Sequence, residues 1–296
     1  MVNTYIQFGT RLNPQMIPAW GANPAQSKAK FSTENAFTNG GVKVRNSVAG
    51  HMVYGLTWSP SFTRDQLRPI MDYADGLYDT TDGVNLLFFI DPVAADKNVC
   101  PQAWAFPAQG ARDAMPLISS PTTGPIRPTA TATPANTLGY PVRSAVYTIA
   151  GTETAKKLYI PIPPGYVAWV GAMGSATGAT GVQATPFTGA AAGTVVPLNL
   201  LAVTSSTRFT NSFASSSGFT GLELQIIIAA GTLTWSGTMV QILPTGVTPL
   251  TGGFMSGQGH SGCEFAGEPQ QTPYNVAPGV ENVGMTVALR ETGDWL

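Results

Sequence analysis

The chain has 296 residues, enough for about two domains, with 15 Lys/Arg against 16 Asp/Glu and a net charge of −1. Charged residues make up only 10% of it, against roughly 25% in an average soluble protein, and 33 glycines with 24 prolines argue against a helical bundle. Hydrophobic content of 43%, including 6 Trp, 9 Tyr and 13 Phe, is enough to bury a core and excludes a disordered chain.

In chain order, the opening MVNTYIQFGTRLNP lacks a basic start followed by an apolar core, so no secretory signal is expected. Val42 to Val44 and His51 to Trp58 read as strands. One helix follows. Thr63 is placed to cap it, Gln66 holds the reciprocal capping-box position, and Phe62 and Leu67 hold the staple positions. Leu67, Ile70, Met71 and Ala74 then form one apolar stripe, and Gly76 supplies the stop. Pro69 forbids one backbone bond, so the helix is expected to start late or to bend there. Val84 to Asp91 reads as a buried strand closed by Pro92, and its run Leu86 to Ile90 is the longest uninterrupted apolar stretch, far short of the ~20 residues a membrane helix needs.

Ser119 to Pro141 is dominated by Pro and Thr without apolar periodicity and reads as an extended linker of polyproline II character. The next block reads as strands at Ser144 to Ile149, Lys157 to Pro161, Tyr166 to Met173, Gly193 to Val203, Thr207 to Phe213, Gly221 to Ala229 and Gly231 to Leu243. The last two are expected to form a hairpin closed by Gly231-Thr232. In Leu222 to Ile226, alternation puts Leu and Ile on a core face and Glu223 and Gln225 outside. Short strands at this spacing predict a jelly roll or a related sandwich. Pro244 to Gly262 is a second Gly/Pro/Thr-rich edge. Val283 to Arg290 alternates Met285, Val287 and Leu289 against Thr286, Ala288 and Arg290. A lone strand is unstable in water, so it is expected to complete a sheet with the charged first block.

The expected fold is therefore mainly β: a sandwich-type base domain with one short α-helix, interrupted by an inserted jelly-roll-like β-sandwich. The boundaries are 1–118 for the first part of the base domain, 119–141 for the linker and 142–244 for the insertion. A Gly-rich return loop, 245–262, leads to the closing part of the base domain, 263–296.

The search for chemistry finds little. His51 sits in a strand-like run and reads as a satisfied or exposed imidazole. His260-Ser261 lies in GQGHSG, but a nucleophile elbow needs G-x-S-x-G between a strand and a helix, and Cys263 stands where the second Gly belongs. A loop is the expected reading. Asp72, Asp75, Asp79, Asp82, Asp91 and Asp96 cluster in sequence as glycosidase carboxylates would, yet Asp79-Thr-Thr-Asp82-Gly83 reads as a turn and lacks EF-hand ligand spacing. No phosphate-cradling glycine motif occurs. Tyr159, Trp169, Phe187 and Trp235 are either a sugar-stacking platform or core aromatics, the latter being favoured. Cys100 and Cys263 read as two reduced thiols of a chain made in a reducing cytosol. No catalytic, cofactor or metal residue is assigned, and neither nucleic-acid binding nor membrane insertion is expected.

The informative oddity is the surface. A solitary protein usually carries about 25–35% charge there, and this chain has few ions to place. Proteins that live inside an assembly need less of that protection; the linker and Gly-rich loops would be ordered by neighbours. A low-charge extracellular sandwich is the alternative.

The segments Trp58-Ser59-Pro60-Ser61-Phe62-Thr63-Arg64-Asp65-Gln66-Leu67, Asp75-Gly76-Leu77-Tyr78, Phe89-Ile90-Asp91-Pro92, Asn98-Val99 and Pro101-Gln102-Ala103-Trp104-Ala105 with Pro107 resemble the minor tail proteins of long-tailed phages of actinobacteria. The closing TVALRETGDWL is similar to that family's terminus. The resemblance covers Gly55 to Pro107 and the last dozen residues. It implies a non-enzymatic virion component at the tail tip, made in the host cytoplasm and assembled from three or six copies with other tail-tip proteins. The Pro-ended segments around Asp91-Pro92 and Trp104 to Pro107 would dock against those neighbours. The inserted sandwich would face outward, and the alternative function is an adsorption module for host cell-wall glycan.

Overall fold

The computed structural model describes residues 5–10, 13–18, 25–36, 43–78, 87–90, 97–105, 107, 117–132, 143–249, 260–277 and 280–291. The described chain opens with β1 (Tyr5–Gly9), β2 (Pro14–Pro18), β3 (Ala25–Ala36), β4 (Lys43–Thr63), helix α1 (Arg64–Ala74), β5 (Leu87–Ile90) and the short helix α2 (Gln102–Ala105). Next come β6 (Ile118–Ser120), β7 (Gly124–Ile126), β8 (Thr129–Ala132), β9 (Arg143–Ile149), β10 (Thr154–Ala155), β11 (Lys157–Pro161) and β12 (Tyr166–Gly178). β13 (Gly181–Thr188), β14 (Ala191–Ala192), β15 (Val196–Pro197), β16 (Leu200–Leu201), β17 (Asn211–Ala214), β18 (Gly221–Ile227) and β19 (Gly231–Pro244) follow. β20 (His260–Phe265), β21 (Gln270–Ala277) and β22 (Val280–Glu291) close the chain. The protein is mainly β and divides into two compact units. One comprises Met1–Met16, Leu87–Ser261 and Trp295–Leu296; the other comprises Ile17–Leu86 and Gly262–Asp294.

The first unit is built on two facing sheets. β11, β18 and β13 form one, with β14 and β15 on the far edge of β13. β12, β19, β9 and β8 form the other, with β16 and β17 on the outer edge of β12. The chain changes sheet from β9 to β11, β12, β13, then from β15 to β17, β18 and β19, which is jelly-roll connectivity. Inward positions alternate as a half-buried pleat requires: Leu158 and Ile160, Ala168 and Val170, Leu222, Leu224 and Ile226, Val240 and Ile242 fill the space between the sheets.

Four expectations change here. β18 and β19 are not a hairpin: β18 pairs with β11 and β13, β19 with β12 and β9, so Gly231 opens a crossing between layers. The span 119–141 is not a free linker as far as it is described. β6 and β7 pair across a turn whose Ser120 hydroxyl accepts the Thr122 N–H, and β8 adds to β9; 133–141 lie outside the described residues. Gly193 to Val203 contains two-residue ladders where one strand was expected, and the strand read at Thr207 to Phe213 begins at Asn211. β13, which the sequence reading missed, lies between β18 and the β14–β15 edge. The described residues of 87–118 group with the jelly roll where the base domain was expected: Phe88, Ile90, Val99, Trp104 and Leu117 share its core.

The second unit pairs β20, β22, β4 and β3 in that order, with β21 also on β22. The expected closing strand is β22. Val283, Met285, Val287 and Leu289 are buried, Thr286 and Arg290 exposed, and its partner is the Val53 to Thr63 stretch of β4. Val44 and His51 to Trp58 belong to that single long β4, while Val42 and 84–86 lie outside the described residues. Helix α1 packs on β4 and β22. It starts at Arg64 and not beyond Pro69, because the Gln66 amide oxygen accepts the Thr63 N–H at 2.9 Å and Leu67 is anchored in the core. Leu67, Ile70 and Tyr73 form its buried face, Tyr73 holding the place expected of Met71 and Ala74. Gly76, at φ 74°, closes a Schellman motif in which Gly76 N–H reaches Tyr73 O and Leu77 N–H reaches Asp72 O.

Candidate interaction surface

The Trp58 to Gln66 segment acquires its shape from one register shift. Met285 faces Trp58 and Val283 faces Phe62, so Ser59, Pro60 and Ser61 bulge out opposite the single residue Gly284. Proline has no N–H to give the ladder, and a bulge is where a strand tolerates it. Gly284 lies against the root of the bulge, where even a Cβ would make only ordinary contact with Trp58 O, at 3.4 Å, and Pro60 Cδ, at 3.7 Å. Trp58 itself is buried and donates from Nε1 to Pro18 O at 2.8 Å. The bulge is thereby fixed at its root and open at its tip, where the Ser59 and Ser61 hydroxyls bond each other at 2.6 Å.

The neighbouring strands extend this surface. Thr63 faces Asn282, which faces Tyr274 on β21, and Tyr274 is 57% exposed. Arg64 Nη1 lies 3.6 Å from Glu281 Oε2 with both side chains mostly exposed, and exposed Leu77 lies just past the helix. Tyrosine and arginine on a polar, rigid support are the residue types that anchor protein interfaces. The surface offers apolar contact, hydrogen bonds and paired charge.

The remaining resemblance segments do a different job. Asn98 is buried; its Oδ1 accepts Cys100 N–H at 3.1 Å and Val240 N–H at 3.0 Å, and its Nδ2 donates to Thr238 O at 3.2 Å. Val99 N–H adds a bond to Val240 O, so this segment continues the ladder on β19. Trp104 follows on α2, fully buried, its ring edge-on to Trp235 with centroids 5.2 Å apart. The expectation that Trp104 to Pro107 docks on neighbours is corrected: Trp104 and Ala105 are core residues and Pro107 is buried, because this segment closes its own jelly roll. Asp91-Pro92 lies outside the described residues.

Of the aromatics considered for sugar stacking, Trp235, Tyr159 and Phe187 are buried, as core residues, and Trp169 is half-buried. Tyr159 and Phe187 meet at 6.0 Å over Gly221, where a Cβ would fall 1.9 Å from the Tyr159 hydroxyl. Glu223 corrects the outward placement: it is 5% exposed and receives Lys157 Nζ at 2.9 Å. Gln225 is half-buried and shares a 3.3 Å amide bond with Gln183. On the other sheet, the Ser205 to Thr210 excursion crosses β12 so closely that a Cβ on Gly171 would meet Arg208 O at 1.7 Å. Arg208, 3% exposed, donates to the carbonyls of Ser205 and Thr207.

His51 lies within β4, and β20 begins at His260, so His260, Ser261 and Gly262 lie in a strand where a loop through Gly262 was expected; 250–259 lie outside the described residues. Asp72 pairs with Arg68 at 3.6 Å one helical turn away and Asp75 caps α1, while Asp79, Asp82, Asp91 and Asp96 lie outside the described residues. Cys100 and Cys263 are buried thiols, and burial pushes the Cys100 thiol well above its ordinary range. Among the described residues, no group of three His, Cys, Asp or Glu side chains is placed to hold a metal, and no helix is long and apolar enough to cross a membrane.

The bulge could have been read from Pro60 between two serines inside a strand pattern; the Asn98 clamp had no local signal. Compared with family models, curated proteins and solved structures, the chain matches none of them.

Proposed function

We propose that this chain is a non-enzymatic structural component of a phage tail tip, assembled as a symmetric oligomer together with other tail proteins. The observation that carries the reading is the surface of the jelly roll. From Leu158 to Leu222 the sequence has one charged residue, Arg208, and that residue is buried. All the surface built by this stretch is therefore free of ionised side chains. Such a surface raises little electrostatic resistance to close neighbours, where a solitary protein would carry interspersed charge. The rigid, exposed Ser59–Gln66 surface with Tyr274 beside it supplies a second contact region, and it falls on the residues that resemble minor tail proteins.

Immunogold electron microscopy with antibodies raised against the full chain tests this reading on phage particles that encode it. Label confined to the distal end of the tail is the expected result. Particles that carry no label, from lysates in which the chain is abundant, would remove the reading.

A further inference from the structure

β3 and β4 pair from Ala25–Gly55 to Ala36–Lys43, with one register shift between Lys28 and Lys30. β22 joins β4 only from Val53 onward. The stretch Lys28–Ala36 with Lys43–Met52 is therefore a two-stranded ribbon, about 30 Å long at the usual rise per residue, and among the described residues neither of its outer edges is paired. A two-stranded ribbon is marginal in water by itself, and each open edge is a row of backbone donors and acceptors that another chain can meet.

Charge says what meets it. Between Ala25 and Tyr54 the sequence places Lys28, Lys30, Lys43 and Arg45 against the single acid Glu34. The rest of the same unit holds 10 carboxylates against 3 arginines. Ribbon and body are thus of opposite sign within one unit. We infer that the ribbon is an assembly arm, which docks on the acidic second unit of a neighbouring copy of this chain. The contact is head-to-tail, since different surfaces meet, and a head-to-tail contact closes into a ring when its rotation permits. The inference rests on the proposed oligomeric role and supplies its contact.

The experiment uses the full chain, prepared from an equal mixture of unlabelled and nitrogen-15-labelled protein and coupled by a zero-length carbodiimide, which joins lysine to carboxylate. Mass spectrometry of the peptides is expected to find Lys28, Lys30 or Lys43 joined to carboxylates of the second unit in mixed-isotope pairs. Arm lysines joined only within one isotopic form, or not joined at all, would overturn the arm. In parallel, the variant Lys28→Glu/Lys30→Glu/Lys43→Glu/Arg45→Glu is expected to raise the concentration needed for assembly by at least about tenfold, with an unchanged circular dichroism spectrum. Unchanged assembly of that folded variant also contradicts the inference. If the charge reversal prevents folding, the cross-links of the unaltered protein decide alone. An unaltered chain that assembles without arm cross-links overturns the arm and leaves the oligomeric reading standing; one that stays monomeric at every concentration overturns both.

Discussion

The two units place their polar groups in opposite ways. In the jelly roll, polar side chains are used inside the fold. Asn98 ties Cys100 to β19, Ser144 and Ser236 share a buried hydroxyl bond of 2.8 Å, Glu223 holds Lys157, and Arg208 secures its own loop. In the second unit the ion pairs Arg64–Glu281, Arg68–Asp72 and Glu264–Arg290 lie at the surface, where each contributes little to stability. The first arrangement makes a closed body whose 158–222 stretch presents no ionised side chain to solvent; the second leaves charge, an exposed tyrosine and open strand edges at its surface. The difference teaches that the first unit uses polar groups to lock its own packing, while the second displays them at its surface.

Substitutions can break this division. Trp104→Ala removes a fully buried indole that packs on Trp235, and a loss of about 3–5 kcal/mol in unfolding free energy of the jelly roll is expected by chemical denaturation. Asn98→Ala strands two buried N–H groups and one carbonyl, each worth about 1 kcal/mol or more, so its cost follows closely. Both variants should also expose Cys100 to a thiol reagent that the native protein excludes, which times the opening of this unit. Gly171→Ala forces the Arg208 loop off β12; a destabilisation of about 1–3 kcal/mol and faster proteolysis near Arg208 are expected.

Two smaller effects sharpen the comparison. Gln66→Ala removes the acceptor for Thr63 N–H and should lower stability by about 1 kcal/mol, read as a lower midpoint for the second unit with the jelly roll unmoved. Glu153 accepts the Ala150, Gly151 and Thr152 N–H groups, and these bonds hold its carboxyl below its ordinary value of 4.5. Because the folded value is the lower one, the contribution is complete above the ordinary value and is lost as pH falls through the folded value. Glu153→Gln should lower the melting temperature slightly in the neutral region, leave it almost unchanged below the folded value, and so flatten the acid limb between them.

What could be read from residues alone follows from how local the deciding contacts are. α1 and β22 were legible because a capping box and a two-residue alternation are written into adjacent positions, and the burial of Leu67, Met285 and Leu289 agrees. β13 was illegible because both its faces are covered: Val182 and Ala184 are buried inward, and Thr185 and Phe187 are buried as well, which erases the alternation. Glu223 was misplaced because its cover comes from Lys157 on another strand. Asn98 bonds Thr238 and Val240, 140 and 142 positions away, and no neighbouring residue announces such a partner. The bulge at Ser59–Ser61 was half-visible, since Pro60 excludes a regular ladder but cannot say how its partner strand adapts.

The central claim, that this chain exists to be packed among its own copies, is most directly measured by light scattering on the full-length protein across a wide concentration range. The account predicts a mass three or six times the 30.9 kDa of one chain, falling as salt weakens the arm contact. A mass of 30.9 kDa at every concentration, in a soluble and well-folded sample, would contradict it.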